Sequence, residues 1–315
     1  MGTDSGILLS GRGPAPTAQA SPWAAALGVA APYLFLLPAG LVLGVFLFAP
    51  LAYAFALSFT DFNALVPPSW VGLANYARLV QDPVFWKTLR NTVIYLLGVV
   101  PALVVLPLFL AVLVNRSLPG VAAFRAAYYL PVVISMVVAG LMWKWLFAEN
   151  GLLNYGLGLV VPWLAAHPVA WLARPETALA AVMVVTVWKG LGYYMVIYLA
   201  GLQTIPQDVY ESAEMDGATR WQATVRLTVP LLWPSIAFVA IVSSISALKT
   251  FTEIYVMTDG GPLNSSTTVV YYLYQQAFQN LNMGYANAIG MVLFVLILGL
   301  SLLNLRAFEQ GQTPA

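Results

Sequence analysis

Six runs of this chain are each long and apolar enough to cross a lipid bilayer, and that leaves few folds open to it. They are Leu34–Phe59, Val93–Val114, Ala126–Phe147, Ala178–Leu202, Leu231–Met257 and Ala286–Leu305. A spanning helix needs about 20 mostly apolar residues to cross a hydrocarbon core roughly 30 Å thick. Lipid offers no hydrogen bonds, so each run must satisfy its own backbone N–H and C=O groups, which makes it a helix. The alternating segments of about ten residues that mark barrel strands are absent. Hydrophobic residues make up 61% of the 315, and charged residues only 8%. That balance belongs to a polytopic membrane protein, not a soluble domain. The expected fold is therefore an all-α membrane protein, a bundle of six transmembrane helices.

Several kinds of chemistry drop out at once. With no cysteine there is no disulfide, thiolate metal site or cysteine nucleophile, and the single histidine, His167, cannot build a metal cluster by itself. No HExxH or Gly-x-Ser-x-Gly pattern is present, so no constellation for an enzyme is visible. The Gly-x-x-x-x-Gly-Lys-Ser/Thr phosphate loop is also missing, so the chain is not expected to hydrolyse ATP itself. A formal charge of +1 gives no reason to expect nucleic acid.

The expected organisation is a disordered tail over residues 1–30, a transmembrane domain over 31–306 and a short tail over 307–315. The first apolar run is too long for a signal peptide and is read as an uncleaved helix. With six spans both tails lie on one side. Placing them in the cytoplasm puts Arg12, Arg116, Arg125, Arg220, Arg226 and Arg306 inside, and Arg78, Lys87, Arg90 and Arg174 outside. Six against four favours that orientation. Between spans 1 and 2, aromatic and basic residues after Asp82-Pro83 suggest an interfacial helix, since proline suits a first turn.

The connection between spans 4 and 5, residues 203–230, stands apart. Asp208, Glu211, Glu214, Asp216, Arg220 and Arg226 crowd into it, in a chain of which only 8% is charged. Pro206 and Asp208 suit the start of a short helix. Asp216-Gly217 reads as its stop, because glycine reaches left-handed backbone angles cheaply. Thr219 is placed to cap a second helix that Pro230 limits. Val209, Ala213 and Met215 are expected to share an apolar side. Two readings remain: a solvated hairpin, or a knob that docks its helix in a groove on another protein.

This loop resembles the signature loop of the inner-membrane permease subunits of binding-protein-dependent ABC importers. The matching residues are Glu211-Ser212-Ala213, Asp216-Gly217-Ala218 and Leu227-Thr228-Val229-Pro230, with Ser212, Leu227 and Val229 replacing the family's usual alanine, isoleucine and leucine. The likeness extends through Ala31-Pro32-Tyr33, Leu57-Ser58-Phe59-Thr60-Asp61, Val71-Gly72-Leu73-Ala74-Asn75-Tyr76, Leu130-Pro131-Val132-Val133, Trp188-Lys189-Gly190 and Thr258-Asp259-Gly260-Gly261-Pro262. It covers roughly residues 30 to 306 and is closest in kind to the carbohydrate branch, the maltose and glycerol-3-phosphate permeases.

The resemblance implies a multi-pass inner-membrane subunit with both termini cytoplasmic. It implies a second homologous permease subunit, a dimer of ABC ATPase subunits that bind the ATP and magnesium, and an extracytoplasmic solute-binding protein. No cofactor is expected in this chain. A sugar-like solute is the implied cargo, and the Glu211–Pro230 loop receives the ATPase power stroke.

Charges inside a membrane are costly and commonly functional. Lys189 lies mid-span 4, while Lys249 and Glu253, four apart and so expected on one helix face, lie late in span 5. They either pair with one another or line a polar path. The stretches that face solute in the resembling family add Ser135, Tyr194, Ser243 and Thr250 as path candidates. Tyr194 offers a ring and a hydroxyl to a sugar face, although Tyr193, Tyr194 and Tyr198 also read as packing residues. The alternative is a six-helix secondary transporter or channel for a polar solute. Coupling to protons or sodium calls for intramembrane acids or paired broken helices. Glu253 is the one acid within a span, and no span is visibly broken in a paired pattern.

Overall fold

The computed structural model describes residues 22–63, 65–115 and 120–310, with side chains from Tyr33 to Arg306. No β-strand occurs among them; a single antiparallel bridge joins Thr60 to Trp70. The chain divides after Ala54 into two compact units. The first is one helical rod: α1 (Pro22–Leu43), a π turn (Gly44–Phe48) and the start of α2 (Ala49–Leu57). Residues 22–30, expected within the disordered tail, are helical; the rest of that expectation lies outside the described residues.

In the second unit, α3 (Ala74–Gln81) leads into α4 (Pro83–Val114). The interfacial helix anticipated after Asp82 is therefore not separate, because Asp82 caps a 32-residue helix that continues through span 2. Its carboxylate accepts hydrogen bonds from the Val84 and Phe85 amides at 2.8 and 3.3 Å, and Pro83 needs no amide partner in a first turn. Span 4 is α9 (Ala178–Leu202), and span 6 lies within α16 (Met283–Gln310).

Spans 3 and 5 are not continuous. Span 3 is α5 (Val121–Val133) and α6 (Met136–Leu146), bent by 100° at Ile134 and Ser135. Pro131 lies in the last turn of α5, and Ile134 turns extended before the Ser135 hydroxyl caps α6 by accepting from Val138 N. Span 5 is α13 (Trp233–Leu248), then Lys249–Phe251 outside any helix, then α14 (Thr252–Met257). Among the described residues four helices are long and apolar enough to span alone, and up to six spans result if two bent pairs, Val121–Val133 with Met136–Leu146 and Arg220–Leu231 with Trp233–Leu248, each count as one.

The remaining elements are α7 (Leu152–Val160) and α8 (Pro162–Ala166) between spans 3 and 4, α10 (Gln207–Met215), α11 (Arg220–Ala223) and α12 (Val229–Leu231) between spans 4 and 5, and α15 (Val269–Tyr274) before span 6.

The core sits where α4, α9 and α13 pack, around Tyr95, Val99, Val182, Val185, Met195 and Val239. Helix α5 lies against α9 at a point where only glycine fits. A Cβ on Gly192 would stand 2.2 Å from the Tyr128 carbonyl oxygen. Small residues at such contacts let membrane helices approach closely, since lipid supplies little hydrophobic drive between them.

A second cluster holds α3, α15 and α16 to the start of α4 through Leu79, Phe85, Tyr272, Tyr285 and Ile289. At its centre the second Asp82 oxygen accepts from the Tyr272 and Tyr285 hydroxyls at 2.5 and 2.6 Å, and the Arg78 guanidinium lies 4.3 Å over the Tyr285 ring. Burial alone would raise the Asp82 carboxyl, but hydrogen bonds from Tyr272, Tyr285 and the Phe85 and Val84 amides outweigh it and hold the group below its ordinary value.

Candidate functional site

Both broken spans open onto one cleft. It encloses about 340 Å³ and is walled by Tyr95, Val99 and Leu103 of α4, Val132 and Met136 on either side of the first break, Thr186, Lys189, Gly190, Tyr193 and Tyr194 of α9, and Val242, Ser243, Ser246, Ala247, Thr250 and Glu253 around the second. A break in a membrane helix leaves backbone groups without partners, which is tolerated where protein or a polar cavity can satisfy them. Each break is satisfied by a side chain here. The Lys189 ammonium donates to the Val132 carbonyl at 3.3 Å, at the end of α5, where a cation complements the helix dipole. The Thr268 hydroxyl donates to the Thr250 carbonyl at 3.0 Å.

A chain of hydroxyls crosses the cleft. Thr186 and Tyr95 share a hydrogen bond of 2.6 Å, and the Thr250 hydroxyl lies 3.3 Å from that of Tyr95 and 3.1 Å from Glu253 Oε2. Ser243 is fully buried with its hydroxyl turned to the Val239 carbonyl at 2.6 Å. The cleft thus offers one ammonium, one carboxylate, several hydroxyls and three tyrosine rings against an aliphatic wall. Such a lining suits a polar, uncharged solute with both hydroxyl edges and apolar faces.

Of the residues singled out in the sequence, Lys189, Tyr194, Ser243, Thr250 and Glu253 come together in this cleft. Two do not line it. Ser135 is exposed and serves as the cap of α6, next to Met136, which does line the wall. Lys249 is exposed just past the end of α13, away from the lining. Its expected pairing with Glu253 fails because the four-residue spacing assumed continuous helix, and the helix is interrupted between them. Among the described residues no ion pair joins Lys189, Lys249 and Glu253. The tyrosines divide: Tyr198 is fully buried packing, Tyr194 is both packed and facing the cleft, and Tyr193 lines the cleft while 44% exposed. Sequence reasoning missed Tyr95 and Thr186, although a phenol and a hydroxyl on otherwise apolar spans were signals available to it.

The loop of residues 203–230 lies at the α4 C-terminal end of the bundle, where Val112 and Asn115 share a shallow hollow with Tyr210, Glu214 and Arg220. Helix α10 closes with the Ala218 amide on the Ala213 carbonyl at 2.9 Å and the Gly217 amide on that of Glu214 at 3.0 Å. This paired closure requires a left-handed residue, and Gly217 has φ +75°. Thr219 and Gln222 then form a reciprocal capping box that starts α11. Glu211, Ser212, Glu214 and Asp216 are exposed, whereas Ala213 and Ala218 are half-buried.

One expectation for the loop needs correcting. Met215 does not join the inner apolar side with Val209 and Ala213; it is 89% exposed, and Trp221 is 72% exposed. Pro230 lies in the last turn of the helical run Arg220–Leu231, and the chain turns by 66° just beyond it, at Leu232.

Comparison with known proteins agrees with this geometry. The chain is 35% identical over 270 residues to a probable ABC transporter permease protein of Pyrococcus horikoshii, covering 84% of this chain and 91% of that one. It is 34% identical to the lactose transport system permease protein of Rhizobium radiobacter, over 88% of this chain and 94% of the relative. It superposes with a TM-score of 0.77 on a bacterial alginate ABC transporter crystallised in complex with an alginate pentasaccharide-bound periplasmic protein, at 26% identity, covering 92% of this chain and 99% of that one. The model of the family described as binding-protein-dependent transport system inner membrane component matches residues 71–308, and the chain belongs to that family as a permease subunit of an ABC importer.

Proposed function

We propose that this permease carries a sugar, with the cleft at the two helix breaks holding the solute and the 203–230 loop taking up the work of ATP hydrolysis. ATP and magnesium would be bound by a dimer of separate ATPase subunits. A second homologous permease would complete the path, and an extracytoplasmic binding protein would deliver the cargo. In this reading the loop and both termini face the cytoplasm and the chain itself binds no cofactor.

The observation that carries the reading is the surface of the loop. A rigidly capped pair of short helices presents Met215 and Trp221 to solvent beside exposed Glu211, Glu214 and Asp216. Apolar side chains ringed by charge, on an element that packs only one side on its own protein, suit insertion into a partner's groove. For the cargo, the mixed hydroxyl and aromatic lining supports a sugar, as do the lactose and alginate systems named among the similar proteins.

The secondary-transporter alternative loses one of the arguments against it, since helices are interrupted at 134–135 and at 249–251 where sequence suggested no break. Family membership and the loop now favour the ATP-driven reading. Glu211→Lys and Gly217→Pro test it in the assembled transporter. Proline cannot reach the positive φ of Gly217. Both variants should insert and assemble, yet lose solute-stimulated ATP hydrolysis and uptake by about tenfold or more, the scale of removing one well-packed interface anchor. Normal uptake in both would overturn the docking role of the loop.

A further inference from the structure

Beyond the cleft, toward the end of the bundle opposite the 203–230 loop, a run of aromatic rings leaves the second helix break. Phe251 stacks on Tyr255 with centroids 5.5 Å apart and planes 13° from parallel. Tyr274 meets Phe251 edge-on at 5.1 Å and Tyr255 at 5.7 Å, and Phe278 continues the run 5.3 Å past Tyr274.

The direction of the run is fixed by hydrogen bonds at both ends of α15. Thr268 is tied to the Thr250 carbonyl at the level of the cleft, and Tyr272 is tied to Asp82 at the far end of α4. The rings therefore climb from the cleft wall toward the outer surface. Phe251 immediately follows Thr250, which lines the cleft, so the run of rings begins next to the cleft wall in the chain.

These rings are not fully consumed by packing. Tyr255 is 45% and Phe278 63% exposed. Their surroundings are not those of a lipid-facing strip, because Asp259 and Gln279 are exposed beside them. Asp259 accepts from the buried Tyr271 hydroxyl, which anchors the carboxylate beneath the rings. Residues Gln275–Gln279 form a π turn, a wide turn that redirects side chains and frequently marks functional positions. Open aromatic faces flanked by an amide and a carboxylate match the two surfaces of a sugar ring, apolar C–H on one and hydroxyls at the edge.

We propose that Phe251, Tyr255, Tyr274 and Phe278, fringed by Asp259 and Gln279, form a second carbohydrate subsite that receives the leading rings of a neutral oligosaccharide before they reach the cleft. This rests on the sugar reading of the cleft and narrows it. Exposed Tyr255 and Phe278, on either side of Tyr274, give two stacking positions. A carboxylate at the fringe disfavours acidic sugars.

The chain has no cysteine, so Phe278→Cys and Tyr255→Cys each introduce a unique thiol. Each variant is assembled with its partner subunits in membranes and treated with a charged, membrane-impermeant methanethiosulfonate. The probes are maltotriose, raffinose and arabinotriose together with glucose, galactose and arabinose. The unsubstituted transporter is tested for uptake of each first, which checks the sugar reading separately. Labelling should proceed from the outer side, and the trisaccharide that supports uptake should slow it several-fold while monosaccharides do not.

Labelling by a permeant maleimide alone would make the rings a lipid contact. Labelling of the isolated chain but not of the assembly would make them a subunit interface. Labelling that no transported saccharide slows would also end the proposal while leaving the cleft reading intact, whereas uptake of none of the probes would take down both. As a second readout, Phe278→Ala should raise KM for the trisaccharide about fivefold, the worth of one aromatic stacking contact, with kcat and monosaccharide uptake unchanged.

Discussion

Asp82 is bound from four directions, by two amides of its own helix and two phenols from α15 and α16, and each of those bonds favours the charged carboxylate. Asp82→Asn keeps the shape but halves the acceptor capacity and removes the charge. Unfolding measured by thermal melts in detergent should shift downward, by about 2 kcal/mol for losing charge-assisted hydrogen bonds. Its pH dependence follows from the direction of the shift. The folded carboxyl is held below its ordinary value of 3.8, so the unfolded chain binds the proton more readily. The stabilisation is complete above that value and is lost as pH falls through the lower folded value. Melts of the parent should therefore drop faster on acidification than those of Asp82→Asn, and parallel curves would refute the assignment. The sequence marked Asp82 only as a helix start, because a cap is a local feature. Its long-range bonds to Tyr272 and Tyr285 depend on a chain reversal some two hundred positions away and leave no local trace.

At the scale of elements, the helices that sequence places well are those with uninterrupted apolar runs. Span 4 coincides with α9 at both ends, and span 2 ends with α4 at Val114. The broken spans were hidden because the residues at the breaks, Lys249 apart, are themselves apolar or small. Ile134-Ser135 and Lys249–Phe251 interrupt helical hydrogen bonding, yet neither is long enough to end the apolar run around it. Pro131 was the available hint for the first, since the freed backbone groups of a proline turn invite a bend. The second carried none beyond Lys249. For the loop, local signals sufficed: the glycine stop and the Thr219 cap were both legible because each is satisfied within a few residues.

The α5–α9 contact makes its own prediction. Gly192→Val pushes side-chain atoms into the Tyr128 carbonyl and must part the helices. Because Lys189 on the same face of α9 holds the end of α5, separation should also release that tie. Expected outcomes are a loss of several kcal/mol for overpacking plus the lost tie, and loss of uptake even where protein persists. Gly192→Ala should already be impaired, and wild-type transport in it would show that the helices have room to spare.

Taken as a whole, the second unit has the 203–230 loop at one end and the cleft at its middle, and one link between them is the turn at Leu232. There the helix from the loop bends by 66° into α13, which runs on to the break at Lys249–Phe251 beside the cleft. Leu232 is 1% exposed, locked between α9 and α13. Opposite it, Gly201 on α9 leaves just enough room: a Cβ would lie 2.5 Å from Ser235 Oγ and 2.9 Å from a Leu232 methyl. Interiors packed this closely transmit displacement instead of absorbing it. If the loop takes up the stroke as proposed, this bend is the direct path from it along α13 to Ser243, Ser246 and Thr250. Gly201→Val should wedge the bend while touching neither the loop surface nor the cleft. ATPase subunits should still bind and hydrolyse ATP in its presence, but solute should no longer stimulate hydrolysis and uptake should fall by about tenfold, equivalent to about 1.4 kcal/mol in the coupling. Loss of ATPase binding in Gly201→Val would place the defect at the loop instead, and unchanged stimulation with full uptake would mean that the stroke travels by another route.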